Sequence, residues 1–396
     1  MTEILSFAYE LRNKITEWRR ELHSIPELDL NLPQTQAYVL SFLEHEKIPC
    51  RTFERDSSIC AWIKGTEGNR AVALRADMDA LHIKEQTSLP YASKNGNMHA
   101  CAHDAHTAML MGAAAILTKI KDRFPGHVTL LFQAGEECSG GAKNMLDNGV
   151  LEKPQAGAIF GQHAGIMSSE LEAGKFGFFP GKFMASRDSF NITIKGKSSH
   201  GSMPAQGIDP VTISAYLITA LQSLISRECN GDESAVLTIG SIHGGEVYNI
   251  IPDNVKLSGA IRCISEEKRR YLEERIKTLS KNLCASMRAE CEIEYEYGYP
   301  VTENDLNMTY FAANCAETLL GKDSIQFLHS PLMSSEDMSF FLQKCPGCFW
   351  LYSTPPSTGQ CYPNHSSKFQ IDDSILYKGS ALMAHVAVEW LNRYGR

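Results

Sequence analysis

No stretch of this 396-residue chain approaches the roughly 18 uninterrupted apolar residues of a membrane-spanning helix, so no span is expected. The first twenty residues lack a continuous apolar core and carry Glu3, Glu10 and Glu17, which argues against a secretory signal or a transit peptide. Positive charge is in deficit: 38 Lys and Arg stand against 46 Asp and Glu, for a formal net charge of −8. That balance excludes the basic footprint of a nucleic-acid binder. Internal repeats and low-complexity segments are absent. Gly135, Gly140 and Gly141 are not followed in register by Lys-Ser/Thr, so they make no phosphate loop. Cysteine is not scarce, but the twelve thiols are irregularly spaced in a long chain. This fits reduced thiols in a cytosol, not a disulfide framework. Cys345 and Cys348 have redox-motif spacing but no thioredoxin-like context and no second pair for zinc, so they read as a turn carrying two thiols.

What is present is concentrated. His99–His106 (HACAHDAH) packs one thiol, three imidazoles and a carboxylate into eight residues. A packed core does not need that set, whereas a soft or borderline divalent metal does. About thirty residues later, the apolar run Val128–Phe132 leads into Gly135, Glu136 and Glu137. Adjacent glutamates just past a buried strand suggest one metal ligand and one general base, and the two segments together suggest metal-assisted hydrolysis. A helix dipole and a metal would together keep Cys101 deprotonated.

The chain is too long for one ordinary core, which predicts two domains or one domain with a large insert. Helical periodicity covers about residues 5–23 and continues over 35–43. Residues 71–77 read as a strand ending in acid, 107–117 as a buried helix with Asp104 near its start, and 127–133 as a second strand. Residues 142–151 read as a helix, and 156–162 as a third strand with His163 at its end. In such an α/β alternation, polar residues at the carboxyl ends of strands mark the ligand-binding edge of a mainly parallel sheet. Here those residues are Asp77 and Asp79, Glu136 and Glu137, and His163. Around residue 183 the pattern changes to β-α-β-β-α-β, which predicts a small ferredoxin-like α+β insert over 183–294. The remaining parts, 1–182 and 295–396, form the α/β catalytic domain, closing with a helix over about 373–394.

Seven segments give the chain a resemblance to the dinuclear-metal amidohydrolases that include hippurate hydrolases, N-acyl-amino-acid aminoacylases and indole-acetyl-amino-acid hydrolases. They are Trp18–Glu27, Leu74–Leu81, Met98–Asp104, Phe132–Glu137, Gly196–Gly201, Asn249–Pro252 and Ser335–Asp337, in matching order and spacing over nearly the whole chain. The resemblance implies a zinc-exopeptidase-like catalytic domain carrying an inserted lid and dimerisation domain. It implies two divalent ions per subunit on Cys101, His103, Glu137, His163 and a late histidine. His365 suits the last role, because it sits in the loop before Phe369 and the final helix; His329 has no motif around it, and His385 lies among apolar residues. Cys and His ligands favour Zn, with Mn, Co and Ni as alternatives.

The resemblance makes Glu136 the general base, Asp79 an acid that orients a ligand or the base, and His200 a donor to the amide oxygen that reaches the site across a homodimer contact. Asn249 and Arg262 resemble the family's grip on a free carboxylate. The expected substrate is therefore a small N-acyl amino acid, cleaved by a cytoplasmic homodimer. The chain departs from the family pattern at Ala102 and Ala105, where Gly is usual, and at Ala134-Gly135, where Pro-Ala is usual. Val247 and Tyr248 replace smaller residues, and Met338 replaces Phe. A bulky Tyr248 hints at an altered acyl or side-chain preference. Cys138, beside Glu137, has no assigned role. Three rivals remain open: a dipeptidase or carboxypeptidase on the same scaffold, a cysteine hydrolase using Cys101, and a binding protein without catalysis.

Overall fold

The structure, a computed structural model, describes residues 2–138, 140–231 and 233–395. They form two compact units. One comprises residues 1–181, 303–330 and 337–396, and the other 182–302 and 331–336.

The first unit is built on an eight-stranded sheet. Its order is Cys50–Thr52, Ile59–Lys64, Pro125–Gln133, Thr66–Asp77, Ala156–Gly165, Gly347–Ser353, Phe176–Phe178, Ile325–Phe327. The four central strands, from Pro125–Gln133 to Gly347–Ser353, run parallel, and antiparallel pairs flank them. Apolar runs such as Val128–Phe132 are buried on both faces, as parallel strands between helices must be. The helix His103–Lys119 carries Ala, Met, Leu and Ile nearly all round and is buried along most of its length. It packs on the central strands together with Leu376–Tyr394, and Glu3–Ser24 packs against both helices.

Register decides where the polar residues fall. Asp77 pairs with Gln133, Arg75 with Gly161, and Leu351 with His163. Asp77, Gln133 and His163 therefore lie at one carboxyl edge, and the helix His103–Lys119 starts there too. His163 sits inside its strand, two residues before Gly165, because pairing with Gly347–Ser353 carries the strand past the point where Thr66–Asp77 ends. The helix after the paired glutamates is shorter than its periodicity suggested and stops at Asp147.

The second unit has the order β-α-β-β-α-β. Strands Asp188–Lys195, Ala235–His243, Asn254–Cys263 and Glu290–Tyr297 make an antiparallel sheet with Asp188–Lys195 and Asn254–Cys263 in the middle. Helices Pro210–Glu228 and Glu266–Ser286 bury one face around Phe190, Ile192, Leu217, Leu257, Leu272 and Ile276. Alternate residues of Asp188–Lys195 are buried, as a half-covered antiparallel strand requires. This unit extends past residue 294 because Glu290–Tyr297 pairs along its whole length with Asp188–Lys195. It also takes in 331–336, where the Leu332 and Ser334 carbonyls accept from the Ala185 amide.

Candidate metal centre

The centre lies wholly within the first unit, where the helix mouth, the glutamate loop and the late loop meet. The Ala100 carbonyl accepts from the His365 amide at 2.7 Å, which pins the late loop to the residues preceding the helix. The Cys101 Sγ then lies 3.3 Å from His365 Nε2 and 3.5 Å from His163 Nε2. Glu137 Oε1 is 3.2 Å from His365 Nε2 and 3.8 Å from His103 Nε2. Three overlapping groups, each with its ligand atoms within 4.8 Å of one another, connect the residues: Cys101, His103 and His163; Cys101, Glu137 and His365; His103, Glu136 and Glu137. All five expected ligands and Glu136 are thus brought together. His329 hydrogen-bonds Glu170 and His385 pairs with Glu389 on the final helix.

The hydrogen bonds say which ring atoms face inward. His103 Nδ1 is 2.9 Å from the Asp79 carbonyl oxygen and His163 Nδ1 is 2.8 Å from that of Ala164. A carbonyl only accepts, so both Nδ1 atoms carry a proton, and on the neutral ring Nε2 is the atom that presents a lone pair. His103 Nε2 is buried without a hydrogen-bond partner. A buried polar atom in that state is costly, and on the neutral ring a cation held among thiolate, imidazole and carboxylate donors would satisfy it. The residues fit a divalent ion of borderline softness.

The protonation preferences show which donors a cation would have to free of protons. Burial opposes a charge on His103, but Asp77, Asp79 and Cys101 outweigh it and hold its pKa well above the ordinary value, so an ion at Nε2 would replace a proton. Burial pushes the Cys101 thiol up. Burial pushes His163 well down, keeping it neutral. Burial opposes ionisation of Glu137, but the His365 hydrogen bond and the nearby His103 outweigh it and lower its pKa. Hydrogen bonds to Cys101 and Glu137 raise His365 to about 10.

Asp79 is fully buried and organises the glutamate loop. One oxygen accepts the Glu136 amide at 3.0 Å and the other the Glu137 amide at 2.9 Å. The loop can turn this tightly because Gly135 stands at φ +75°, and because a Cβ on Gly141 would lie 1.7 Å from the Ala134 carbonyl oxygen. At the helix mouth Ala102 keeps φ +65°, the left-handed value that Gly adopts freely, which costs about 1–2 kcal/mol. Ala105 is an ordinary residue of the first turn.

Several residues of the site went unremarked in the sequence. Arg75 is buried and donates to Asp77 at 2.7 Å, Asp337 at 2.6 Å and Gln133 at 2.9 Å. Gln133 and the Ala142 amide also donate to Asp337. The only local signal was the Arg75–Asp77 alternation, which puts both side chains on one side of a strand. A second buried network joins Asp104 to Arg19 at 2.8 Å and to His23 at 2.7 Å, so Asp104 belongs to this network and not to the donor cluster. His99 is buried with neither ring nitrogen hydrogen-bonded.

His200, Asn249 and Arg262 belong to the second unit. His200 is exposed in a short ladder opposite Ile250, and the neighbouring Gly201 amide donates to the Asn249 carbonyl at 2.8 Å. The Ser202 amide donates to His200 Nδ1 at 3.1 Å, so a neutral His200 carries its proton on Nε2 and offers it outward. Tyr248 is fully exposed. Arg262 is half-buried and donates to the Met333 carbonyl and Ser335 Oγ, with no ion pair among the described residues. All twelve cysteines are free thiols. Cys345 and Cys348 are buried, each pushed up to about 12 by burial, and Cys138 is exposed. No helix among the described residues is long and apolar enough to cross a membrane.

Comparison with known proteins places this geometry among relatives. Residues 73–389 match the sequence profile of Peptidase family M20/M25/M40. The chain is 36% identical over 392 residues to thermostable carboxypeptidase 1 of Saccharolobus solfataricus, covering 97% of each. It is 34% identical over 384 residues to the N-acetyl-L-cysteine deacetylase of Bacillus subtilis, covering 96% of this chain and 89% of the relative. A solved structure of a dinuclear metal-binding peptidase of family M20 from Bacillus subtilis superposes with a TM-score of 0.82 at 32% identity, covering 96% of this chain and 99% of the other.

Proposed function

The chain belongs to Peptidase family M20/M25/M40, and on that premise we propose that it is a metal-dependent amidohydrolase that cleaves N-acyl amino acids to a carboxylate and a free amino acid. The observation that carries this reading is the buried, unpartnered Nε2 of His103 within a cluster of sulfur, nitrogen and carboxylate donors. Two divalent ions, with zinc the first candidate, would be held by Cys101, His103, Glu137, His163 and His365. When bound, they supply Lewis acidity and lower the pKa of water towards roughly 7.

The protein's own groups have separate tasks. Glu136, held beside the cluster by the hydrogen bond its backbone amide donates to Asp79, takes the proton of the attacking water and later hands it to the leaving amine nitrogen. The outward Nε2–H of His200, presented across a homodimer contact of the second unit, donates to the carbonyl oxygen as negative charge develops there. Arg262, with no carboxylate partner among the described residues, and Asn249 anchor the free carboxylate of the substrate. Asp79 orients both glutamates. The first unit thus acts as the catalytic domain and the second, the insert expected over 183–294, as a lid and dimerisation domain, in a cytoplasmic enzyme.

The carboxypeptidase relative supports a second reading, in which the bond cleaved is the C-terminal peptide bond of a short peptide. One experiment tests both. Chelated protein is assayed on acetyl- and benzoyl-amino acids and on dipeptides, with Zn, Mn, Co or Ni restored. Activity returning with metal on N-acyl amino acids is the expected result. Turnover of dipeptides alone would replace the substrate class, and full activity in chelator would remove the metal mechanism.

A further inference from the structure

His106 has no part in the cluster of candidate ligands, although it stands three residues after His103 on the same helix, and its ring centre is 4.6 Å from that of His163. Asp77, His103 and His106 could by type and spacing hold an ion. The hydrogen bonds exclude that use, because both nitrogens of His106 are engaged. Nε2 accepts the Ala164 amide at 2.7 Å, so Nδ1 carries the proton and donates it to Asp77 Oδ1 at 2.5 Å. The other Asp77 oxygen accepts from Arg75 at 2.7 Å, and Arg75 is itself held by Asp337 and Gln133. His106, Asp77, Arg75, Gln133 and Asp337 are all buried.

The fold makes this arrangement necessary. Strand Ala156–Gly165 pairs with Thr66–Asp77 only as far as Gly161. Beyond that point, the side of the strand facing Thr66–Asp77 has lost its ladder partner, and a buried amide there needs another acceptor. His106 supplies it at Ala164. The carbonyl of the same Ala164 accepts Nδ1–H of His163. One residue's backbone therefore has its amide bound by His106 and its carbonyl binding the ring of His163.

We propose that His106 is a positioning residue for His163: anchored by Asp77 and Arg75, it fixes the Ala164 backbone that sets the tautomer and aim of the His163 ring. The inference rests on the metal reading above. Partners of this kind around ligating histidines typically alter metal affinity by about 10–100-fold.

The test compares wild type, His106→Leu and His106→Gln. Leu has similar bulk but neither hydrogen bond, whereas the Gln amide can donate to Asp77 and accept from Ala164. Zinc affinity is measured by chelator competition, the cobalt-loaded proteins are examined by visible absorption, and the metal-free proteins are melted. H106L should weaken one of the two ions about 10–100-fold and alter its cobalt spectrum, and H106Q should recover most of the affinity. A merely structural role would lower the metal-free melting temperature of H106L without separating the two ions. Unchanged affinity for both ions in H106L would overturn the proposal and leave the metal reading intact, whereas a wild type that binds no ion would sink both. Nitrogen-15 spectra of the histidine rings in wild type do not depend on the variants folding. They should show His106 and His163 as Nδ1–H tautomers, and an Nε2–H His106 would refute the proposal.

Discussion

Asp79→Asn is the substitution whose consequence can be worked most directly from the geometry. The carboxylate is fully buried and each oxygen accepts one backbone amide, from Glu136 at 3.0 Å and Glu137 at 2.9 Å. Asparagine keeps the shape but replaces one acceptor with an NH2 group. One amide keeps a partner, and the other faces a donor. A hydrogen bond to a charged group contributes about 1.5–3 kcal/mol, and the stranded amide adds a desolvation cost of about 1 kcal/mol or more. The metal-free variant should therefore lose roughly 2–4 kcal/mol of stability, read as a lower urea midpoint by circular dichroism. Because Glu137 is a proposed ligand, zinc affinity should fall about 10–100-fold in chelator competition. Since Glu136 shares the same clamp, turnover at saturating zinc should fall as well. A variant with wild-type urea midpoint and zinc affinity would refute the assignment of Asp79 as the clamp of the glutamate loop.

Three further outcomes are expected. Glu136→Gln should lower turnover about 10²–10⁴-fold while two ions remain bound by elemental analysis; retained activity would remove Glu136 as the base. Zinc uptake at pH 7 should release protons, because His365 is raised to about 10 and the Cys101 thiol is raised by burial. Affinity should then increase as pH rises from 6 to 9, and calorimetry in buffers of different ionisation enthalpy would contradict this if no proton were released. His99 is pushed down to about 3 by burial, so below its unfolded value of about 6.5 only the unfolded chain takes up the proton. Its stabilising contribution is complete above that value and is lost as pH falls towards 3. The metal-free stability gap between wild type and His99→Gln should shrink by roughly 1 kcal/mol per pH unit between pH 6 and 5, and parallel profiles would count against it.

The α/β alternation was legible because it is written in local periodicity. Val128–Phe132 is apolar throughout, as a strand covered on both faces must be, and Asp188–Lys195 alternates because one face of its sheet is open. Element ends were less legible. The helix beginning at Gly141 stops at Asp147, and the strand carrying His163 continues past it, because pairing with Gly347–Ser353 extends it. That partner lies nearly two hundred residues away, and no local pattern reports it.

The donor cluster divides in the same way. The segment HACAHDAH and the pair Glu136 and Glu137 stood out because metal-competent residue types at a helix mouth and a strand end are a property of neighbours in sequence. Nothing in HACAHDAH distinguishes its three histidines. In the structure His99 is buried without hydrogen bonds, His103 presents a bare Nε2, and His106 has both nitrogens engaged. Asp77 and Asp79 look alike on the page, yet one anchors an imidazole and a guanidinium and the other clamps two amides.

By itself, the sequence determined the α/β class, the ferredoxin-like order of the second unit and the kinds of atoms gathered at one sheet edge, since periodicity and residue chemistry act over a few neighbouring positions. Only the tertiary structure decided which nitrogen of each ring is free, which carboxylate holds the loop, and that Arg75 could be buried at all. Those outcomes depend on partners such as Asp337 for Arg75 and Ala164 for His106, which folding alone brings within hydrogen-bond distance.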